Sequence, residues 1–125
     1  MKIVRVYTGP DGESHFEDVE IKVADDGHLG RMSKLVPAKG VIFREVGGDY
    51  ALDFHNAPRR QYVVNLTGSV ELEVGDGTKR LLGPGDVLLA EDTTGGGHEW
   101  HIVGPDPWRR AYVSLEALAP KDVDV

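Results

Sequence analysis

Short apolar runs separated by turn-forming residues recur along the whole chain. The runs are rich in Val, Ile, Leu, Phe and Tyr and are divided by clusters of Gly, Pro, Asp or Asn, a pattern typical of β-strands. In one run Val70, Leu72 and Val74 alternate with Glu71 and Glu73, so the two sets face opposite sides of a sheet. Ten strands are predicted, over residues 3–7, 16–23, 41–46, 50–55, 61–67, 69–74, 79–82, 86–90, 99–103 and 110–115.

Turn signals and the scarcity of helical patterns complete an all-β prediction. The Gly75-Asp76-Gly77 segment supplies the backbone freedom that a tight hairpin needs between two of these strands. Helical periodicity is weak, and only residues 28–34 and 115–118 are candidates for a short helical turn. Ten short strands with hairpin spacing indicate a sandwich or a barrel, while residues 119–125 lack any pattern and are expected to fray.

Composition narrows the classes of function. A chain of 125 residues is long enough for one domain with its own core, and the absence of cysteine excludes a disulfide, a thiolate metal site and a thiol nucleophile. The chain carries 14 Lys and Arg against 21 Asp and Glu, a net charge of −7, which disfavours nucleic acid and anionic membranes as partners. No apolar stretch approaches the roughly 18 residues of a membrane span and no signal peptide is visible, so we expect a cytoplasmic protein.

The residues around His55 resemble the first motif of the cupin family. That motif reads Gly, five residues, His-x-His, three or four residues, Glu, six residues and Gly. In this chain His55 takes the first histidine position, Ala57 the second, Gln61 the glutamate position and Gly68 the closing glycine position. The spacing of the motif is kept, while two of its ligand identities are lost.

The second cupin motif is recognisable further along the chain. The turn Gly83-Pro84-Gly85-Asp86 leads into a strand, and His98 stands at the position of the motif's histidine. The connecting segment 91–97 is longer than the turn that the family usually has there. The resemblance covers residues 41–114 and is to small single-domain bacterial cupins.

The resemblance implies a fold and an oligomeric state. Residues 1–118 would form one cupin domain, a jelly-roll barrel (double-stranded β-helix) of two antiparallel sheets with a short N-terminal strand pair. Members of the family commonly form homodimers. The apolar outward face that strand parity gives to Tyr62, Val64 and Leu66 agrees with a homodimer.

The same resemblance implies a divalent metal in the barrel. Its ligands would be His55, Gln61 and His98, and Fe, Mn, Zn, Ni or Cu are the candidate ions. Glutamine supplies a dipole where the family's glutamate supplies a charge, so water or substrate would have to complete the coordination. The glycine triplet at 95–97 precedes a strand and is not a phosphate-binding loop, so no nucleotide or flavin is expected.

A metal-free interpretation assigns proton transfer to the same part of the chain. His98, His55 and Glu91 would act as acid and base if they flank a substrate, each tuned by burial. The alternative for Glu91 is an ion pair with an arginine. Asp92, the next residue, is expected to form a turn with Thr93.

Strand parity also selects candidate substrate-binding residues. Asp53 and Arg59 share the face of His55, and the Arg59 guanidinium can hold a carboxylate or phosphate, which indicates a small anionic substrate. An internal ion pair is the alternative for Arg59. Trp100 shares the face of His98 and would either line the pocket or pack in the core, whereas His101 has the opposite parity.

Three hypotheses about function follow from these residues. The first is a metal-dependent enzyme that acts on a small oxygenated organic acid, with dioxygenase, isomerase or lyase chemistry. The second is a metal-free isomerase, epimerase or lyase. The third is a non-catalytic module that binds a small molecule, since one fold hosts many functions.

Overall fold

A computed structural model describes residues 1–25, 27–47 and 52–116, apart from the side chains of Leu29, Leu52 and Asp53. The predicted tail at 119–125 and part of the predicted turn at 115–118 lie outside these residues. The strands are β1 (Lys2–Thr8), β2 (Ser14–Glu20), β3 (Ala24–Asp25), β4 (Arg31–Met32), β5 (Gly40–Val46), β6 (Leu52–His55), β7 (Gln61–Thr67), β8 (Ser69–Val74), β9 (Lys79–Leu82), β10 (Val87–Glu91), β11 (His98–Val103) and β12 (Trp108–Ser114). A 3₁₀ turn at Gly27–Leu29 lies between β3 and β4.

The strands form two main sheets and a small ribbon. The six-stranded sheet has the order β2-β1-β10-β7-β12-β5, and the four-stranded sheet has the order β6-β11-β8-β9. The ribbon pairs β3 with β4. Neither main sheet closes on itself in the part of the chain described, and the architecture is all-β with two main sheets, of the sandwich or barrel-like kind.

The structure confirms the all-β prediction and corrects one detail of the pairing. Strands β7, β8 and β9 have the predicted bounds, and β8 pairs with β9 through the predicted glycine turn. The expectation of purely antiparallel sheets is wrong at one position, because β1 pairs with β10 in parallel. β1 forms a hairpin with β2 and pairs on its other side with β10, which is far away in the chain. Because no short turn joins β1 to β10, the two strands can run in the same direction. No helix in the described ranges has the length and apolar character needed to cross a membrane.

The hydrophobic core lies between the two sheets. Val63, Leu88 and Trp108 contribute from the six-stranded sheet, and Leu72 and Trp100 from the four-stranded sheet. The predicted inward set of β8 is confirmed, since all three of its apolar residues are buried. Because side chains alternate along each strand, the residues next to these core positions face outward. Residues two positions from a core residue face inward again, and at the end of the sheets some of these are polar, such as His98 beside Trp100.

Candidate functional site

A cavity of about 230 Å³ opens between the sheets at the end where β6, β7 and β11 meet. Both motif histidines line it, and so do Arg59, Gln61 and Trp100. The two-residue period of β7 and β11 turns Gln61, His98 and Trp100 toward this space. Arg59 lies in the connection 56–60, which is not a strand, so the predicted shared parity of His55 and Arg59 does not account for its position. The full lining consists of Ile42, Arg44, His55, Asn56, Ala57, Pro58, Arg59, Gln61, Val63, Ala90, His98, Trp100, Arg110 and Tyr112.

His98 is held by a buried carboxylate that the sequence analysis had assigned to a turn. The Nδ1 atom of His98 lies 2.5 Å from Oδ2 of Asp92, and the same oxygen accepts a hydrogen bond of 2.8 Å from the Ser14 hydroxyl. Asp92 is fully buried and His98 is 2% exposed. The expected turn of Asp92 with Thr93 is thus wrong, because the side chain continues the inward face of Ala90, two residues earlier, and its carboxylate contacts Ser14 and His98 instead.

His55 stands beside His98 across the strand pair. The two residues are register partners of β6 and β11, and their ring centroids are 4.7 Å apart. The other side of the His98 ring meets Trp100 edge-on at 5.5 Å. His98 therefore has a carboxylate partner at Nδ1 and a second imidazole beside its ring. A small molecule in the cavity could contact both histidines.

The glycine-rich loop between Asp92 and His98 is fixed against its surroundings. Asn56 donates to the Gly95 carbonyl at 2.9 Å, the Ala57 amide donates to the Asp92 carbonyl at 3.1 Å, and the Gly96 amide donates to the Gly12 carbonyl at 2.9 Å. Gly97 has φ +75° and lies directly against the His55 carbonyl, where a Cβ atom has no room. These contacts set the position of His55 relative to His98.

Arg59 and Gln61 lie together at the cavity wall, as predicted. Arg59 Nη1 donates a hydrogen bond of 2.9 Å to Gln61 Oε1, and both side chains are buried. A guanidinium has five N–H donors in a planar fork, so it can make other contacts besides this bond. The predicted anion-binding role of Arg59 stays a prediction.

The remaining predicted substrate-binding residues have different outcomes. Trp100 lines the cavity and also packs on Trp108 with ring centroids 4.6 Å apart, so it belongs to both the pocket and the core. The backbone of Asp53 belongs to β6, but its side chain lies outside the described part of the chain.

The structure does not bring Glu91 together with the two histidines. Its carboxylate forms ion pairs with Arg5 at 2.5 Å and with Arg60 at 2.7 Å, on the opposite face of β10 from Ala90. Burial raises the pKa of this carboxyl group, but the hydrogen bonds from Arg5 and Arg60 outweigh burial and bring the pKa below its ordinary value. Glu91 therefore forms the ion pair with an arginine that was the alternative prediction for it. Asp92, not Glu91, is the carboxylate beside His98.

The donor set at the predicted metal positions fits a metal poorly. His55 and His98 could offer two imidazoles, but the Oε1 atom of Gln61 already accepts a hydrogen bond from a cationic guanidinium. A metal ion at that oxygen would lie next to a positive charge, which raises its energy. In the described part of the chain these positions supply two imidazole nitrogens, fewer than the three protein ligands of a usual catalytic zinc site.

A different group of side chains could hold a metal ion on the outer face of the four-stranded sheet. Ligand atoms of Glu73, Glu99 and His101 lie within 4.8 Å of one another, and no comparable trio occurs elsewhere among the described residues. The Lys79 ammonium group lies 3.6 Å from the Glu73 carboxylate, so it would compete with a metal ion for that carboxylate. His101 therefore faces away from the cavity, as its parity predicted.

The sequence did not predict the roles of two further residues, Asp92 behind His98 and Arg110 in the cavity wall. Asp92 could have been found by extending the alternation of β10 by one step beyond Ala90. Arg110 was predicted only as the first residue of a strand, but it is a buried cavity residue of β12. The run Trp108-Arg109-Arg110 carried the signal, since alternation places the first and third residues on the same face.

Comparison with known proteins finds no family model that matches this chain and no curated protein that is significantly similar to it.

Proposed function

We propose that the chain is a small enzyme that moves protons on an oxygenated carboxylic acid bound in the cavity, without a metal. The observation that supports this function most strongly is the buried pair of Asp92 and His98, with 2.5 Å between carboxylate and ring nitrogen at the cavity wall. Imidazole is the side chain best suited to proton transfer near neutral pH, and a carboxylate partner fixes which nitrogen carries the proton.

The proposed chemistry uses three side chains. A carboxylate accepts hydrogen bonds, so Asp92 keeps the proton of His98 on Nδ1 and leaves Nε2 as the ring nitrogen that can act as a base. Nε2 removes a proton from the carbon next to the substrate's carbonyl group, and Asp92 stabilises the imidazolium that forms. Arg59 holds the substrate's carboxylate, and His55 returns a proton to the product. This sequence describes an isomerase or epimerase, and a lyase if a leaving group departs.

The fold and the cellular setting belong to the same proposal. We propose that the facing sheets form a cupin jelly roll within a single domain at 1–118, in a cytoplasmic protein. Support comes from the motif spacing around His55 and His98, whose strands pair with one another and bring both histidines into the cavity.

We also propose that two copies of the chain pair through the outer face of the six-stranded sheet. Tyr62, Val64 and Leu66 face outward on β7, and the edge strand β5 exposes Val41 and Phe43, the latter to 76%. Covering such an apolar face is favourable, and an edge strand offers unpaired backbone groups. Light scattering in dilute solution is expected to give the mass of a dimer, and a monomer would contradict this pairing.

The function is tested by proton exchange rather than by a chosen overall reaction. Chelator-treated protein is incubated in D₂O with a panel of short-chain 2-oxo, 3-oxo and 2-hydroxy acids, and loss of the α-proton signal is followed by NMR. We expect catalysed exchange with at least one member of the panel. His98→Gln is expected to lower the exchange rate by about 100-fold or more. His101→Gln is the matched control, because His101 lies on the outer face.

Each outcome separates the hypotheses. Exchange that survives in His98→Gln contradicts the role of His98, and exchange that needs added metal contradicts a metal-free site. Binding of panel members without any exchange would favour the non-catalytic binding module.

A further inference from the structure

An apolar strip crosses the inner face of the six-stranded sheet inside the cavity. Val63 of β7 lies directly opposite Tyr112 of β12, and Tyr112 lies directly opposite Ile42 of β5. All three residues line the cavity. Directly opposite side chains on one face of a sheet are neighbours, and three adjacent strands span about 10 Å. The three side chains therefore form one continuous apolar surface of about that length.

The strip offers apolar surface to a ligand. Val63 and Ile42 have hydrocarbon side chains, and the hydroxyl oxygen of Tyr112 accepts a hydrogen bond from Arg110 Nε. Val63 is buried in the core, whereas Ile42 and Tyr112 are only half-buried although they face inward. Part of their apolar surface therefore faces the cavity, and covering it with an apolar group is favourable.

The strip begins beside the residues of the proposed reaction. Gln61 and Val63 are two positions apart on β7 and face the same side. Gln61 lies directly opposite Ala90, and Asp92, the partner of His98, follows two residues after Ala90. From there the strip leads across β12 to the edge strand β5. A substrate whose reacting carbon lies at His98 can therefore extend its remaining atoms along the strip.

The volume of the cavity limits the size of the group that the strip can hold. The cavity has a volume of about 230 Å³. For comparison, an apolar cavity of about 150 Å³ binds benzene. A ligand with a small polar head and an apolar group of about four to six carbons therefore matches the volume.

We propose that the non-reacting part of the substrate is an apolar chain or ring of about four to six carbons, which lies on the strip of Val63, Tyr112 and Ile42. Ile42 determines specificity at the far end, because it belongs to the edge strand of the sheet. This inference rests on the proposed function in placing the reacting carbon at His98, and it names the class of substrate.

The test is a titration with neutral alkanamides, so it depends neither on turnover nor on the binding of an acid. Butanamide, pentanamide and hexanamide differ by one methylene at each step. We expect the affinity of wild-type protein to rise about three- to fourfold per step. In 3-methoxypropanamide an oxygen replaces one methylene of pentanamide, so binding should be about fivefold or more weaker. Shifts of the Val63 and Tyr112 signals in ¹H–¹⁵N NMR spectra measure the affinity and locate the ligand.

A matched pair of variants tests the far end of the strip. Ile42→Asn introduces a polar side chain and should weaken pentanamide binding about fivefold or more, while 3-methoxypropanamide changes by about twofold at most. Val41→Asn makes the change at the neighbouring, exposed position of the same strand and should alter neither affinity. Ile42→Ala adds no polar group and should weaken pentanamide binding about threefold, so it replaces Ile42→Asn if that variant does not fold. Thermal unfolding shows which variants are folded.

Equal affinity of pentanamide and 3-methoxypropanamide, no binding of any amide, or equal effects of Ile42→Asn and Val41→Asn would overturn the proposal. A rise in affinity along the amide series without proton exchange on any acid would contradict the proposed enzymatic function alone. Proton exchange on short oxo acids without such a rise would contradict only the apolar class of substrate.

Discussion

Replacement of Asp92 by asparagine is expected to lower catalysed proton exchange by about two to three orders of magnitude. Asparagine has nearly the same shape, but it removes the negative charge that stabilises the His98 imidazolium. Its amide can also donate to Nδ1 and so shift the proton of His98 to Nε2, the nitrogen that must act as the base. The rate of α-proton exchange in D₂O measures the effect.

The pattern of kinetic constants distinguishes positioning from simple loss of structure. Since Asp92 is absent from the cavity lining, we expect kcat to fall while KM changes by less than about threefold. Ser14→Ala is the matched control, because it removes the other hydrogen bond to the same oxygen and leaves His98 with its carboxylate. A kcat in Asp92→Asn equal to that of Ser14→Ala would contradict the assigned role.

Replacement of Gly97 by alanine is expected to destabilise the protein by about 3 kcal/mol or more. Two costs combine at this position. The backbone has φ +75°, and an added Cβ would overlap the His55 carbonyl and lie 3.0 Å from the Asn56 nitrogen. Neither neighbour is the end of a flexible side chain, so the strand that carries His55 must move away from His98. Urea unfolding measures the change in the free energy of unfolding.

Gly77 provides the control for backbone conformation alone. It has φ +87° in the β8–β9 turn, and an added Cβ would meet nothing within 4 Å. Alanine there is expected to cost only about 1 kcal/mol. If both variants lose the same stability, the close approach of Gly97 to β6 has no energetic weight. Proton exchange should fall in Gly97→Ala and remain unchanged in Gly77→Ala, because only the first displaces His55.

Features set by local alternation could be predicted from the sequence, and features set by distant pairing could not. The bounds of β7 and β8 follow from the two-residue period, and the turn at 75–77 follows from its glycines. The parallel pairing of β1 with β10 has no such signal, because no turn joins the two strands. Homodimerisation and cytoplasmic location stay predictions.

In the candidate site, too, the sequence predicted what local alternation sets and missed what distant contacts set. His55, Arg59, Gln61 and His98 share the cavity, but alternation explains this only within β7 and β11, because the connection 56–60 is not a strand. Their partners depend on contacts across the fold. Whether Glu91 or Asp92 reaches His98 is decided by which face of β10 meets the other sheet, and Arg5 from the N-terminal strand holds Glu91 on the outer face.

The Ser14–Asp92 hydrogen bond has a consequence for the order of events in folding. The two residues are 78 positions apart in the chain, whereas every described residue that lines the cavity lies at position 42 or later. Contacts between such distant segments form at a high entropic cost, so they are expected to form late. A molecule whose later strands have assembled would hold the full set of lining residues before the N-terminal hairpin fixes Asp92. Maturation of the site would then be a separate and final stage, which couples the first twenty residues to the chemistry of His55, Arg59 and His98.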